Sequence, residues 1–484
     1  MDHPPLNAPS SEAIARLVKI VGQANAITEA ADQAPYLTEW RDRYVGRTSL
    51  VLRPGSTDEV SQILKVANTE RIAVVPQGGN TGLVGGQIPF ETGKEVVISL
   101  SRLNRIRHVD SGGDHMVCEA GVTLAQAQAT ADETNRLFPL SLASEGTCQI
   151  GGNIATNAGG TGVLAYGNTR QLTLGLEIVL ADGSVLTNLK PLKKDNTGYD
   201  LSNLFIGSEG TLGIITAATL KLFPKPLWHE TAFVACPSLE AIAKLYQAAS
   251  TSLAQQLTAF EFLPTRAIQF LEKHVEKIRA PVETTSPWYV LLEISHLSDP
   301  ATQSQETPET ASAFETLLAD AIDQRLADDV AIAASQSQQK DFWQLRELLS
   351  EVQKFEGGSI KHDISVPVHA IPEFISRGNA LIEKLCPGAR PVPFGHFGDG
   401  NVHYNISQPA NADKSAFLDR WEEVNAAVHA LVTEMGGSIS AEHGIGRMKR
   451  EELVEHKDPI ALHTMRAIKN ALDPVGIMNP GKVL

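Results

Sequence analysis

Two glycine-dense stretches constrain this chain more than any other feature. "PQGGNTGLVGG" (Pro76 to Gly86) and "EGTCQIGGNIATNAGGTGVLAYGNTR" (Glu145 to Arg170) are poor material for regular helix or strand, because glycine loses more backbone entropy on ordering than any other residue. What such segments do well is bring backbone N–H groups close to a partner, forming concave anion sites that side chains would block. The first stretch follows the strand-like run "IAVV", as a phosphate loop does. No G-x-G-x-x-G opens a helix, so the fingerprint of the doubly wound nucleotide fold is missing. Each stretch alone also reads as tight turns in a β-rich domain. Together, and with "GSEGTLGIIT" (Gly207 to Thr216), they fit a large dinucleotide.

With 484 residues the chain exceeds one compact core, which predicts two or three domains. Residues 12–33 read as helix with small apolar residues, within an N-terminal segment 1–45. Residues 46–226 are rich in Gly, β-branched residues and short apolar runs, with a helix over "STDEVSQILKVANTER" capped by Ser56 or Thr57. Residues 227–435 alternate strands such as "YVLLEIS" with helices such as "KDFWQLRELLSEVQKF", and "SDPATQSQETPETAS" between them reads as a solvated loop. Residues 436–484 form a C-terminal segment. The expected class is α+β.

Charge and cysteine content narrow the partners and the setting. A net charge of -15 argues against nucleic acid, and an anionic substrate then needs local cations. No apolar run approaches the roughly 20 residues that span a bilayer, and the N-terminus lacks a basic region followed by an apolar one, so neither a transmembrane segment nor secretion is expected. Four cysteines without C-x-x-C spacing suggest neither a disulfide framework nor a thiolate metal site, and the expected setting is reducing and cytoplasmic.

"FGHFGDGNVHYN" (Phe394 to Asn405) is the densest cluster of chemistry. If Asp399-Gly400 is a two-residue hairpin loop, Gly398 faces Asn401, Phe397 faces Val402 and His396 faces His403. Opposed Cβ atoms lie roughly 5 Å apart, close enough for two imidazoles to share a metal ion. Asn405 projects from the face of His403. Two histidines in this register are also compatible with ordinary surface residues. Farther along, Arg346 and Ser350, four apart on a helix, share a face. "SIKHDISVP" alternates, with Ile360, His362, Ile364 and Val366 on one side and Lys361, Asp363 and Ser365 on the other.

Eight ordered motifs carry a family resemblance: "PQGGNTGLVGG", "GGNIATNAGG", "LGLEIVLADGSV", "KDNTGYDL", "FIGSEGTLGIIT", "GHFGDGNVHYN", "SAEHGIG" and "LDPVGIMNP". From about residue 46 to the end the chain resembles the FAD-linked D-2-hydroxyacid dehydrogenases of the vanillyl-alcohol oxidase fold, and within them most the D-2-hydroxyglutarate dehydrogenases. The resemblance implies a PCMH-type FAD-binding domain followed by a mixed α/β substrate-binding domain. It implies that Pro76, Gly78, Gly79, Asn80, Thr81 and Gly82 hold the FAD pyrophosphate. Gly146, Thr147, Gly151, Gly152, Asn153, Thr156, Asn157, Gly159 and Gly160 would line the flavin and its ribityl chain, with Ile214 and Asn479 as further contacts. Some members link FAD covalently through a histidine in the first loop. This chain has Asn80 there and no histidine from 72 to 107, so FAD is expected without a covalent link.

The same resemblance makes His396, His403 and Glu442 a metal site and His443 the catalytic base. Two imidazoles and one carboxylate suit Zn²⁺, with Mn²⁺ as the alternative. Adjacent residues of a regular strand point to opposite faces, so Glu442 and His443 serve one point only if the chain turns at Gly444. Arg346, Ser350, Lys361 and Asn405 would bind substrate. Two cations beyond the metal favour a dicarboxylate, 2-hydroxyglutarate, over lactate or glycolate. The expected reaction is oxidation of D-2-hydroxyglutarate to 2-oxoglutarate. A D-lactate or glycolate dehydrogenase and an O₂-using oxidase are the alternatives. The electron acceptor, whether electron-transfer flavoprotein or quinone, and the oligomeric state, a homodimer included, stay open.

Overall fold

A computed structural model describes residues 5–283, 285–298 and 312–484. The loop expected over 298–312 falls, apart from its two ends, outside these residues. The chain forms two compact units. The first comprises residues 1–160, 166–225 and 442–484, and the second 161–165 and 226–441.

Among the described residues the first unit holds two larger sheets and the short ladder of Arg136–Leu137 with Phe223–Pro224. In one, Val74–Gln77 and Val51–Leu52 flank Val96–Ser99 as parallel partners, and Ala26–Ile27 adds an antiparallel edge. The other is antiparallel, in the order Ile106–Asp110, His115–Glu119, Ile214–Lys221, Thr173–Val179 and Val185–Asn188. The helix Thr57–Glu70 starts at Ser56, whose hydroxyl accepts from Glu59 N. Its buried Val60, Ile63, Leu64 and Ala67 share a core with Ala13, Leu17 and Val21, so the N-terminal segment is part of this unit. The helix expected over 12–33 is broken. Ser11–Val21 stops at Gly22, whose φ of +78° no continuing helix accepts, and Ala30–Leu37 follows separately. The C-terminal Ile477 and Met478 pack into the same core.

The second unit is one large antiparallel sheet, ordered Asp329–Ile332, Trp228–Cys236, Trp288–His296, Leu257–Pro264, Arg390–His396, Asn401–Ser407 and Ser359–Ile360, with Asp363–Ser365 also paired to Asn401–Ser407. Its strands are largely apolar on both sides because helices cover both faces. Ala232, Val234, Phe260 and Phe262 pack against the helices Leu239–Ser252, Ala313–Asp323, Ile371–Leu385 and Trp421–Glu434. Phe233, Ala235, Leu263 and Phe394 pack against Thr265–His274 and Gln336–Glu347. No described helix is long and apolar enough to cross a membrane.

Glu356 ties several elements of this unit together. Its carboxylate accepts from Lys273 Nζ and His274 Nε2, each at 2.6 Å, and from Arg390. Burial raises its pKa, but these three donors outweigh burial and hold it at about 2, below the ordinary 4.5. A pKa lowered by folding contributes stability above the unfolded value and loses it as pH falls toward the folded one. Glu356→Gln should therefore cost about 3 kcal/mol at neutral pH and flatten the fall of stability between the two pKa values. Urea midpoints measured across that acid range check this, and an unchanged slope counts against it.

Candidate active site

In the first unit the two glycine stretches meet backbone to backbone. A Cβ on Gly79 would run into the carbonyl oxygen of Thr147, and one on Gly151 would come 2.6 Å from Ala120 Cβ. Only glycine permits these approaches. Pro76 is the third residue of the parallel strand Val74–Gln77, and Asn80 follows at φ +54°, donating to the carbonyls of Pro35 and Thr38 at 3.0 Å each. Gly146 and Gly152, by contrast, border open space. Asn153 is buried, Thr156 Oγ1 donates to Gly152 O at 3.0 Å, and Asn157 Oδ1 accepts from Arg170 N at 3.0 Å. Asn479 donates to Gly86 O and Glu209 O, both at 2.9 Å. Three buried side-chain acceptors here lack a hydrogen-bond partner among the described residues: Asn80 Oδ1, Gln149 Oε1 and Asn479 Oδ1. Ile214 is core, packed with Val74 and Ile98.

His443 also belongs to the first unit, and the chain does turn beside it. Gly444 takes φ +82°, and the next two N–H groups, of Ile445 and Gly446, donate to the Glu209 carboxylate at 2.8 Å each. A Cβ on Gly444 would come 2.7 Å from Glu209 Oε1. Burial raises the Glu209 pKa, and the two N–H groups work against that rise. Glu209 lies in "GSEGTLGIIT", a stretch that drew notice for its glycines and Ile214.

In the second unit the hairpin closes differently from the two-residue loop expected. Phe397–Asp399 make a 3₁₀ turn and Gly400 takes φ +83°, so His396 faces Asn401 and His403 faces Phe394. Phe397 decides this: its ring is buried among Phe260, Phe262 and Tyr246 and cannot join the ladder. A shift of two residues preserves the face of every side chain. His396 and His403 are accordingly diagonal neighbours, ring centroids 5.7 Å apart.

Glu261 was not foreseen. It pairs with His396 across the neighbouring strand, and its carboxylate accepts from His396 Nδ1 at 2.6 Å and Arg346 Nε at 2.7 Å. Burial raises its pKa, but the charges of His396 and Arg346 prevail and hold it below the ordinary carboxylate range. The available signal was one acidic residue in the otherwise uncharged strand "LTAFEFLP". Arg346 also lies over the Phe394 ring, 4.9 Å from its centroid. Its terminal nitrogens make no hydrogen bond among the described residues.

Arg346 and Ser350 do not share one helix. Gln336–Glu347 ends before Leu348, and Ser350 sits in a separate turn, Leu349–Val352. Lys361 Nζ reaches the Ser350 carbonyl oxygen at 3.4 Å. Ile360, His362, Ile364 and Val366 are all buried, as the alternation predicts. His362 Nδ1 bonds to Tyr404 O at 2.8 Å. Asn405, on the face of His403, donates to Gln353 Oε1 at 2.7 Å.

Residues 48–188 match the family of FAD binding domains, and residues 225–483 match FAD linked oxidases, C-terminal domain. The chain is 38% identical over 482 residues to D-2-hydroxyglutarate dehydrogenase, mitochondrial, of Arabidopsis thaliana, covering 100% of this chain and 83% of that one. It is 36% identical over 470 residues to D-2-hydroxyglutarate dehydrogenase of Stutzerimonas stutzeri (strain A1501), covering 97% and 98%. Among solved structures, p-cresol methylhydroxylase with substrate bound superposes at a TM-score of 0.70 and 17% identity, covering 98% of this chain and 96% of the other, a likeness of fold. The PCMH-type α+β class expected from the motifs is the fold observed. The chain is an oxidoreductase and belongs to the FAD-linked D-2-hydroxyacid dehydrogenase family.

Proposed function

We propose that this protein oxidises D-2-hydroxyglutarate to 2-oxoglutarate with FAD and a divalent metal. One observation carries the reading: Glu261, His396, His403 and Asn405 line one face of three neighbouring strands, beside the buried apolar Leu263, Val392 and Phe394. Buried polar groups cost free energy unless they are satisfied, and this set has the composition of a metal and carboxylate site.

Gly78, Gly79, Asn80, Thr81 and Gly82 would hold the pyrophosphate of FAD, and Gly146, Thr147, Gly151, Gly152 and Asn153 its flavin portion. The open space at Gly146 and Gly152 and the three orphaned acceptors fit a polar ligand there. FAD, when bound, supplies the acceptor for the C2 hydride. His396, His403 and Glu442 would hold Zn²⁺ or Mn²⁺, a Lewis acid toward the substrate hydroxyl. Glu261 supports this assignment: a carboxylate on Nδ1 leaves Nε2 of His396 as the ligand nitrogen. Ala441 N donates to Asp363 O at 3.3 Å, Asp363 faces His403 in register, and Glu442 is the next residue along the chain.

His443 takes the proton of the C2 hydroxyl as general base. Arg346 and Lys361 neutralise substrate carboxylate, while Ser350 and Asn405 orient it. Electrons leave to an electron-transfer flavoprotein or a quinone. The proposed setting is reducing, since all four cysteines are buried free thiols, two of them pushed by burial to about 12. The plant relative's name places that protein in the mitochondrion.

The test is anaerobic: mix the FAD-loaded protein with D- and L-2-hydroxyacids and follow flavin bleaching, with and without a chelator. D-2-hydroxyglutarate should bleach it fastest, and the chelator should stop it. Lys361→Met should lower the preference for D-2-hydroxyglutarate over D-lactate by about tenfold or more. Equal rates for the two acids in the wild type would overturn the substrate assignment.

A further inference from the structure

The hairpin formed by Ile106–Asp110 and His115–Glu119, in the first unit, carries a second cluster of metal-ligating side chains. His108 and Asp110 alternate onto one face of their strand, and Asp110 pairs directly with His115. One atom from each, a ring nitrogen of either histidine and a carboxylate oxygen of Asp110, lie within 4.8 Å of one another. We propose that His108, Asp110 and His115 bind a borderline divalent transition metal of the Zn²⁺ class.

Three observations support a ligand at this place. His115 is 7% exposed, yet its Nδ1 is buried with no hydrogen-bond partner among the described residues. Such an atom normally has a partner. The Asp110 carboxylate is half used: Oδ1 accepts from Gly112 N and Gly113 N at 2.9 Å each, which orients the group and leaves Oδ2 for a cation. Gly113 supplies the room. A Cβ there would come 2.8 Å from His115 Nδ1 and 2.9 Å from Asp110 Oδ2, so that any side chain would fill the space between them.

Two imidazoles and a carboxylate favour Zn²⁺, or Ni²⁺ and Cu²⁺, over the all-oxygen preference of Mg²⁺ and Ca²⁺. Ligand atoms on one tetrahedral zinc are about 3.4 Å apart, so the cluster must tighten on binding. His108 is exposed and free to turn. The turn is otherwise braced by Arg136, which donates to Ser111 O at 2.6 Å and Asp114 Oδ1 at 2.8 Å and has its charge balanced by Asp114.

The test uses the full-length, FAD-loaded protein, stripped with chelator and dialysed against buffered Zn²⁺. Wild type, His108→Ala and Gly113→Ala are compared for zinc per chain, flavin per chain and turnover. Both variants should hold one zinc fewer than the wild type at unchanged flavin content and turnover. Zn²⁺ should also raise the Tm of the wild type more than that of Gly113→Ala. Equal zinc content in all three proteins, or displacement of the additional zinc by Mg²⁺, overturns the proposal. The comparison is between variants, so it is independent of whether His396, His403 and Glu442 hold a metal.

Discussion

Replacing His443 by alanine should lower kcat for D-2-hydroxyglutarate by about 10²–10⁴-fold, the usual contribution of a positioned general base, while leaving FAD bound. The expectation rests on how the residue is held. Glu209 grips the N–H groups of Ile445 and Gly446, and Gly444 turns the chain at φ +82° immediately after His443. These are backbone contacts, so they survive removal of the imidazole. The first glycine stretch meets this turn through backbone as well, Val84 O accepting from Arg447 N at 3.0 Å, so that contact does not depend on the imidazole either. Flavin absorbance per chain should therefore match the wild type, while the rate of anaerobic flavin reduction collapses. Reduction within a few-fold of the wild-type rate would remove His443 from the role of base.

Glu261→Gln is the second large effect. The carboxylate has two tasks: it accepts from His396 Nδ1 and balances the charge of Arg346. A glutamine keeps the shape and loses the charge. On the proposed metal site, where His396 is a ligand, a group that orients such a histidine is typically worth 10–100-fold in metal affinity or activity, and about that loss is expected in both. Breaking a buried ion pair from one side leaves the other charge uncompensated, at about 3–5 kcal/mol, and Arg346 is buried. The pH dependence follows from the lowered pKa of Glu261: its contribution is present at neutral pH, is lost as pH falls toward the folded value, and should disappear in the variant. Metal content at fixed free Zn²⁺ separates the two tasks. A variant of lower Tm but unchanged metal content and kcat would confine Glu261 to packing.

Much of the candidate site's backbone geometry was legible because the relevant physics is local. A glycine loop announces close backbone approach, and the contact between Gly79 and Thr147 is one that no other residue permits. Strand periodicity placed His403 and Asn405 on one face, and His396 stayed with them because the actual register differs by an even number of residues. The apolar side of "SIKHDISVP" was readable for the same reason. The two-residue loop was not correct, since burial of the Phe397 ring outweighed the local Asp-Gly preference. Arg346 and Ser350 were assigned to one helix because their spacing fits one, and the break at Leu348 leaves no mark in the pattern.

By itself, then, the sequence determined what local backbone chemistry determines: where the chain must approach another backbone, and which face each strand residue takes. Only the tertiary structure decided the partners that give those residues their properties. Glu261 meets His396 from 135 positions away, and Glu209 meets Ile445 from 236. Strand order and loop packing bring such pairs together, and the energy that selects them is burial summed over the whole core, which no short window of sequence contains.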